Sequence, residues 1–215
     1  MIMKSITFLA VLSCILFQSV ASQADTEVDV ITLRYNDTVD SSVIQLQGYM
    51  SLPADATVMQ PAPAVVILPD ADGVNFYEQV RATMLAKDLG YVGFAADIYG
   101  ANLQNVTDRV QRTALLNLYR NNITLYTQRI KAAVDFIKSQ PEVDPNNVAV
   151  IGYCFGGTGV LQYGLVGGEG VVGLVSFHGG LVNLPEVGPG VKPKLLVLSG
   201  GDDDTSTRIA DLENT

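Results

Sequence analysis

A cysteine lifted out of a glycine-rich turn directly after an apolar run can act as a nucleophile. The stretch Val148-Ala149-Val150-Ile151-Gly152-Tyr153-Cys154-Phe155-Gly156-Gly157 has that arrangement. It fits the strand–turn–helix pattern G-x-S-x-G with cysteine in place of serine. Glycines suit such a turn because side chains there would collide with neighbouring strands. The N–H of Phe155 then faces the oxyanion that forms when a thiolate attacks a carbonyl. The start of the following helix favours thiolate over thiol. The plainer alternative is a buried cysteine beside a tight turn. The apolar strand before Cys154 and the helical stretch after it favour the nucleophile.

Acyl transfer by a thiolate also needs a base and a carboxylate to orient it. Leu195 to Ser199 is an apolar run ending in Gly200-Gly201-Asp202-Asp203-Asp204. An acid past the strand that follows the nucleophile unit is where the orienting carboxylate belongs, and three adjacent aspartates leave the choice open. An acidic surface turn is the alternative. A second acid, Asp70, follows the apolar run Ala64 to Leu68 in Leu68-Pro69-Asp70-Ala71-Asp72-Gly73, where it either assists the thiol or caps its own turn. The chain has one histidine, His178, and it precedes the aspartates. The chain order nucleophile, acid, histidine does not fit it. His178 is therefore expected to be structural. Thr207 to Asn214 reads as the opening of a helix, so the base, a last strand and a last helix are expected beyond Thr215.

These residues need a sheet to hold them. Val28 to Pro53 alternates apolar and polar residues, as a hairpin or edge strands do. Ala64–Leu68, Tyr91–Ala96, Val148–Tyr153, Val171–Phe177 and Leu195–Ser199 read as buried strands. Helices are expected over Tyr77–Leu89, with Val80, Met84, Leu85 and Leu89 on one face, and over Asn105–Tyr119 and Ile123–Ser139. Apolar strands alternating with helices imply an α/β fold, a mostly parallel sheet covered on both faces, in one domain spanning 28–215. In such sheets the chemistry belongs at the carboxyl ends of the strands.

Gly152-Tyr153-Cys154-Phe155-Gly156-Gly157 resembles the signature of the dienelactone hydrolases. The resemblance extends through Val65-Val66-Ile67-Leu68, Leu89-Gly90-Tyr91-Val92-Gly93-Phe94-Ala95-Ala96-Asp97-Ile98-Tyr99-Gly100 and Ser176-Phe177-His178-Gly179-Gly180. It implies an α/β-hydrolase fold and a Cys-Asp-His triad acting on small esters or lactones, with no cofactor or metal. The family's Gly-x-x-Asp spacing, counted from Gly200, selects Asp203 as the acid. The family carries His-Glu where Pro69-Asp70 stand, with the glutamate against the resting thiol, so the resemblance gives Asp70 that role. It also makes the Ala71 N–H the second oxyanion donor beside Phe155. The family's Tyr-x-Arg, which can bind a substrate carboxylate, is here Tyr99-Gly100-Ala101. A neutral ester or lactone is the expected substrate.

Composition sets the surroundings. Of 215 residues 48% are hydrophobic and 16% charged, as in a chain with a well-buried core. The net charge of -9, with no basic cluster, excludes nucleic acid as an expected partner. Residues 1–24 combine Lys4, an apolar run over Ile6–Val20 and small residues at Ala21, Ser22 and Ala24, the grammar of a secretory signal peptide. The run is about 15 residues, short of the ~20 that span a bilayer. No membrane span is expected once it is removed. Asn36, Asn105 and Asn122 open N-x-[ST] triplets, which behind a signal peptide point to a glycoprotein of the secretory route. Cys14 lies in the signal region, so Cys154 is the only thiol left after cleavage. Without a second cysteine to resolve an oxidised Cys154, a thiol redox protein is disfavoured. A binding protein that keeps the fold but lacks the base is the main alternative to a secreted hydrolase. With the base placed beyond Thr215, the 215-residue chain is predicted to hydrolyse esters no faster than its Cys154→Ala variant. Cys154-dependent turnover in a spectrophotometric ester assay overturns that and promotes His178.

Overall fold

A computed structural model describes residues 28–188 and 193–213; the expected signal segment lies outside them. The chain opens on a hairpin of β1 (Val30–Val39) and β2 (Ser42–Ser51). Asp40 and Ser41, at φ 47° and 66°, make the two-residue turn between them. Two left-handed residues give the turn the twist of its flanking strands. Then follow β3 (Ala62–Leu68), α1 (Phe76–Leu89), β4 (Val92–Ala95), α2 (Arg109–Asn121), α3 (Ile123–Lys138), β5 (Val143–Tyr153), α4 (Phe155–Leu165), β6 (Gly173–Phe177), β7 (Lys194–Leu198) and α5 (Ser206–Glu213).

The strands form one sheet in the order β1-β2-β4-β3-β5-β6-β7. β1 and β2 are antiparallel to their neighbours, and β4 to β7 run parallel with β3. From β3 the chain first steps to β4 on one side and later to β5 on the other. That reversal of direction opens a crevice beyond the carboxyl ends of β3 and β5. Cys154 and the Asp70–Gly73 turn are the residues that follow those two strands.

The α/β reading holds, and the expected elements are present with shifted ends. α2 starts at Arg109 rather than Asn105 because Asp108 caps it, its carboxylate accepting the Gln111 N–H. The buried face of α1 differs from the expected one. Val80, Met84 and Leu89 are largely exposed, whereas Glu78, Ala82 and Ala86 are buried. The cause is close approach: a Cβ on Gly93 of β4 would lie 2.3 Å from the Ala82 carbonyl oxygen. Only small residues fit where helix and strand backbones touch.

β6 and β7 also depart from the doubly buried reading. Leu174 and Ser176 are buried, but Leu196 and Leu198 are exposed, so these strands alternate. α3 and α4 cover one face, and α1 packs over β2, β3 and β4 on the other. Among the described residues no helix covers the second face of β6 and β7. No described helix is long and apolar enough to cross a membrane. The close contact of α1 predicts that Ala82→Leu lowers stability by about 1–3 kcal/mol. Met84→Ala should change it by less than about 1 kcal/mol; chemical denaturation of both variants checks the order.

Candidate active site

The elbow is built by backbone strain. Cys154, first after β5, has φ 51° and ψ -105°, a conformation a non-glycine residue holds only when its surroundings impose it. Its N–H donates to the Phe177 carbonyl at 3.0 Å, and its carbonyl accepts the Thr158 N–H at 3.1 Å. Two glycines permit the turn. A Cβ on Gly152 would stand 2.3 Å from the Gly156 oxygen, and one on Gly156 would stand 2.5 Å from the Leu68 oxygen. Gly156 thus lets the start of α4 rest against the end of β3. Cys154 is half-buried, and its thiol is free.

The Phe155 N–H is the first of α4 and has no partner within the helix. The Ala71 N–H, in the turn after β3, likewise donates to no described residue, whereas the Ala71 carbonyl accepts the Tyr99 hydroxyl at 3.0 Å. The two expected oxyanion donors are therefore left free, on the two segments that meet at Gly156. Asp70 caps its own turn: its side chain accepts the Asp72 N–H at 3.1 Å and its carbonyl accepts the Gly73 N–H. No hydrogen bond joins it to the Cys154 thiol.

The structure distinguishes the three aspartates. Asp204 has a buried side chain that accepts the Leu181 N–H at 3.1 Å and stands 3.8 Å from Arg208. Asp202 is exposed. Asp203 accepts the Gly200 N–H at 3.0 Å and meets His178, Oδ2 to Nδ1, at 2.8 Å. The His178 hydrogen bond, followed by that of Gly200, holds the Asp203 carboxyl below its ordinary range. His178 was expected to be a structural histidine. Its side chain is 59% exposed and rests on the expected acid. It follows β6, whose Phe177 pairs with Tyr153. Cys154, His178 and Asp203 thus follow three adjacent strands, with Asp203 five residues past the end of β7.

Glu78 is the residue sequence reasoning passed over. It is fully buried, and its Oε2 accepts the Asn75 N–H at 3.0 Å while the Asn75 side chain caps α1. Asn75-x-x-Glu78 is a capping box legible in the sequence. Burial, with Asp70 and Asp72 nearby, pushes Glu78 up to about 7. Burial and a hydrogen bond with Asp70 push Asp72 up to about 6. No group of three or more metal-ligating side chains occurs among the described residues. A surface hollow of about 410 Å³ lined by Tyr35, Asp37, Gln128 and Lys131 lies at the β1–α3 edge, away from Cys154. The sequons fall on exposed asparagines: Asn36 in β1, Asn105 in a loop, and Asn122 capping α3.

Comparison with known proteins agrees with the fold. The profile of the dienelactone hydrolase family matches residues 46–215. A carboxymethylenebutenolidase of Pseudomonas sp. is 33% identical over 116 residues, covering 51% of this chain and 46% of its own. The chain spans about half the length of the curated relatives it matches. The solved structure of m3DLH superposes with a TM-score of 0.75 at 29% identity, covering 87% of this chain and 75% of its own. A dienelactone hydrolase-like promiscuous phosphotriesterase from metagenomic libraries gives 0.74 at 29%, covering 86% and 75%.

The buried Glu78 sets a pH dependence. Its raised value means the folded chain prefers the protonated acid, so the contribution to stability is full below about 4.5 and is lost as pH rises through 7. A rise from 4.5 to about 7 corresponds to about 3 kcal/mol. Glu78→Gln keeps an acceptor for the Asn75 N–H without the charge. Its stability relative to the parent is expected to increase from pH 5 to pH 8, read as the difference in denaturation midpoints. Parallel pH profiles for the two proteins refute this.

Proposed function

This chain belongs to the dienelactone hydrolase family, and from that premise we propose that it hydrolyses small neutral esters or lactones with Cys154 as nucleophile. The observation that carries the reading is the strained elbow, with free N–H groups on Phe155 and on Ala71, in segments that meet at Gly156. The thiolate adds to the substrate carbonyl carbon, and the carbonyl electron pair moves onto oxygen between the two N–H groups. Collapse of that adduct expels the alcohol, which takes a proton from the imidazolium, and leaves a thioester on Cys154. Water, deprotonated by the imidazole, then releases the acid and the thiolate. Asp203 orients the imidazole and stabilises its charged form.

A specific contact favours His178 as that imidazole: its Nδ1 is on Asp203, which leaves Nε2 to exchange the proton. Chain order favours a histidine after Asp203 instead. The missing arginine at Tyr99-Gly100-Ala101 supports a neutral substrate rather than the carboxylated lactone in the Pseudomonas relative's name. The segment 1–24 supports export, with Asn36, Asn105 and Asn122 as sites for glycans.

Incubation with p-nitrophenyl acetate followed by intact-mass spectrometry tests the nucleophile. One acetyl group on Cys154 is expected, and none on Cys154→Ala. Equal labelling of the two proteins overturns the reading, and ligand binding without acylation leaves a binding protein. With His178 as base, His178→Ala slows acylation by about 10²-fold or more. An unchanged rate returns the role to a histidine elsewhere.

A further inference from the structure

Beneath the elbow lies a layer of tyrosines that the mechanism has not used. Tyr126, on α3, is fully buried, and its hydroxyl donates to the Phe155 carbonyl at 3.0 Å. Its ring stacks on that of Phe155 with centroids 4.7 Å apart and 12° between planes. Gly159 gives it room, since a Cβ there would stand 2.5 Å from the Tyr126 ring. Tyr99, also buried, donates its hydroxyl to the Ala71 carbonyl at 3.0 Å. Its ring lies 5.4 Å from Phe155. Each of the two residues whose N–H groups are left free is therefore held at its own carbonyl by a buried tyrosine.

We infer that Tyr99 and Tyr126 are positioning residues that fix the two oxyanion donors, Ala71 and Phe155, from below. The inference rests on the hydrolase reading above. Phe155 is clamped at its ring and its carbonyl, and Ala71 at its carbonyl. With those points fixed, the N–H on the other side of each Cα has little freedom to turn away. Donors that need no reorientation as charge forms are what makes such a site effective. A buried tyrosine hydroxyl needs an acceptor in any case, so the test must separate positioning from satisfied burial.

Tyr119 supplies the control. It lies 5.5 Å from Tyr99 and 5.7 Å from Tyr126, edge-on to Phe155. Its hydroxyl faces Arg129 and bonds neither donor carbonyl. The probe is an aryl trifluoromethyl ketone. The Cys154 sulfur adds to its carbonyl carbon, the carbonyl pair moves onto oxygen, and the thiol proton passes to solvent. No base and no turnover are needed. Alkylation by iodoacetamide, which builds no oxyanion, reports the thiol alone.

Tyr99→Phe and Tyr126→Phe are each expected to weaken the ketone adduct about tenfold, a fraction of the 10²–10³ that losing a donor outright costs. Their alkylation rates should stay at the parent value, and Tyr119→Phe should change neither readout. Unchanged adduct affinity in both variants shows that the hydroxyls only satisfy burial, and the inference falls. A parallel loss of alkylation shows a disturbed elbow and also overturns it. Should Tyr126→Phe not fold, Tyr99→Phe alone is held to the same two readouts. A parent protein that is alkylated but forms no ketone adduct refutes the oxyanion site itself, and the inference with it.

Discussion

The left-handed backbone of Cys154 is the constraint around which the rest of the molecule is arranged. A cysteine at φ 51° persists only if its neighbours leave it no relaxed alternative. Those neighbours are backbone. The Cys154 N–H is tied to β6 through Phe177, its carbonyl starts α4 through Thr158, and Gly156 sits against the Leu68 carbonyl. Relaxing the turn would break a sheet contact, unwind a helix start and separate β5 from β3 together. The strain is thus held by the sheet and placed at the candidate nucleophile.

The same contact joins two segments far apart in sequence. Because Gly156 brings α4 onto the end of β3, the turn that holds Ala71 comes alongside the turn that holds Phe155. The Ala71 turn is acidic, which at first sight opposes a thiolate or an oxyanion. Burial answers that objection only at mildly acidic pH. Asp72 and Glu78 are pushed towards neutral pH, so below their titration range part of the negative charge is absent. Asp70 accepts the Asp72 N–H within its own turn.

How much was legible follows from which interactions are local. The strands β3, β4 and β5 and the elbow were readable because each is written in consecutive residues. The α1 face was not: Val80, Met84 and Leu89 have helical spacing, but Gly93 on another strand decides that Ala82 faces inward. The half-exposure of β6 and β7 escaped for a related reason, since an apolar run does not say which helices cover it. Among the aspartates, spacing and resemblance selected Asp203. Only the fold showed that Asp204 is occupied with Leu181 and that His178 comes to Asp203.

The two halves of the candidate chemistry are built from different materials. The nucleophile and both oxyanion donors are set by backbone, wedged between strands and backed by buried aromatic rings. The acid and its histidine are set by side chains on loops, with Asp203 37% and His178 59% exposed. Backbone-built parts depend little on which side chain occupies a position, provided the glycines stay. Side-chain-built parts depend wholly on identity, and a solvent-exposed pair gains little from its charges. A chain of this design keeps the Cys154 elbow and the two free N–H groups through many substitutions. The pairing of His178 with Asp203, by contrast, is lost when either side chain changes.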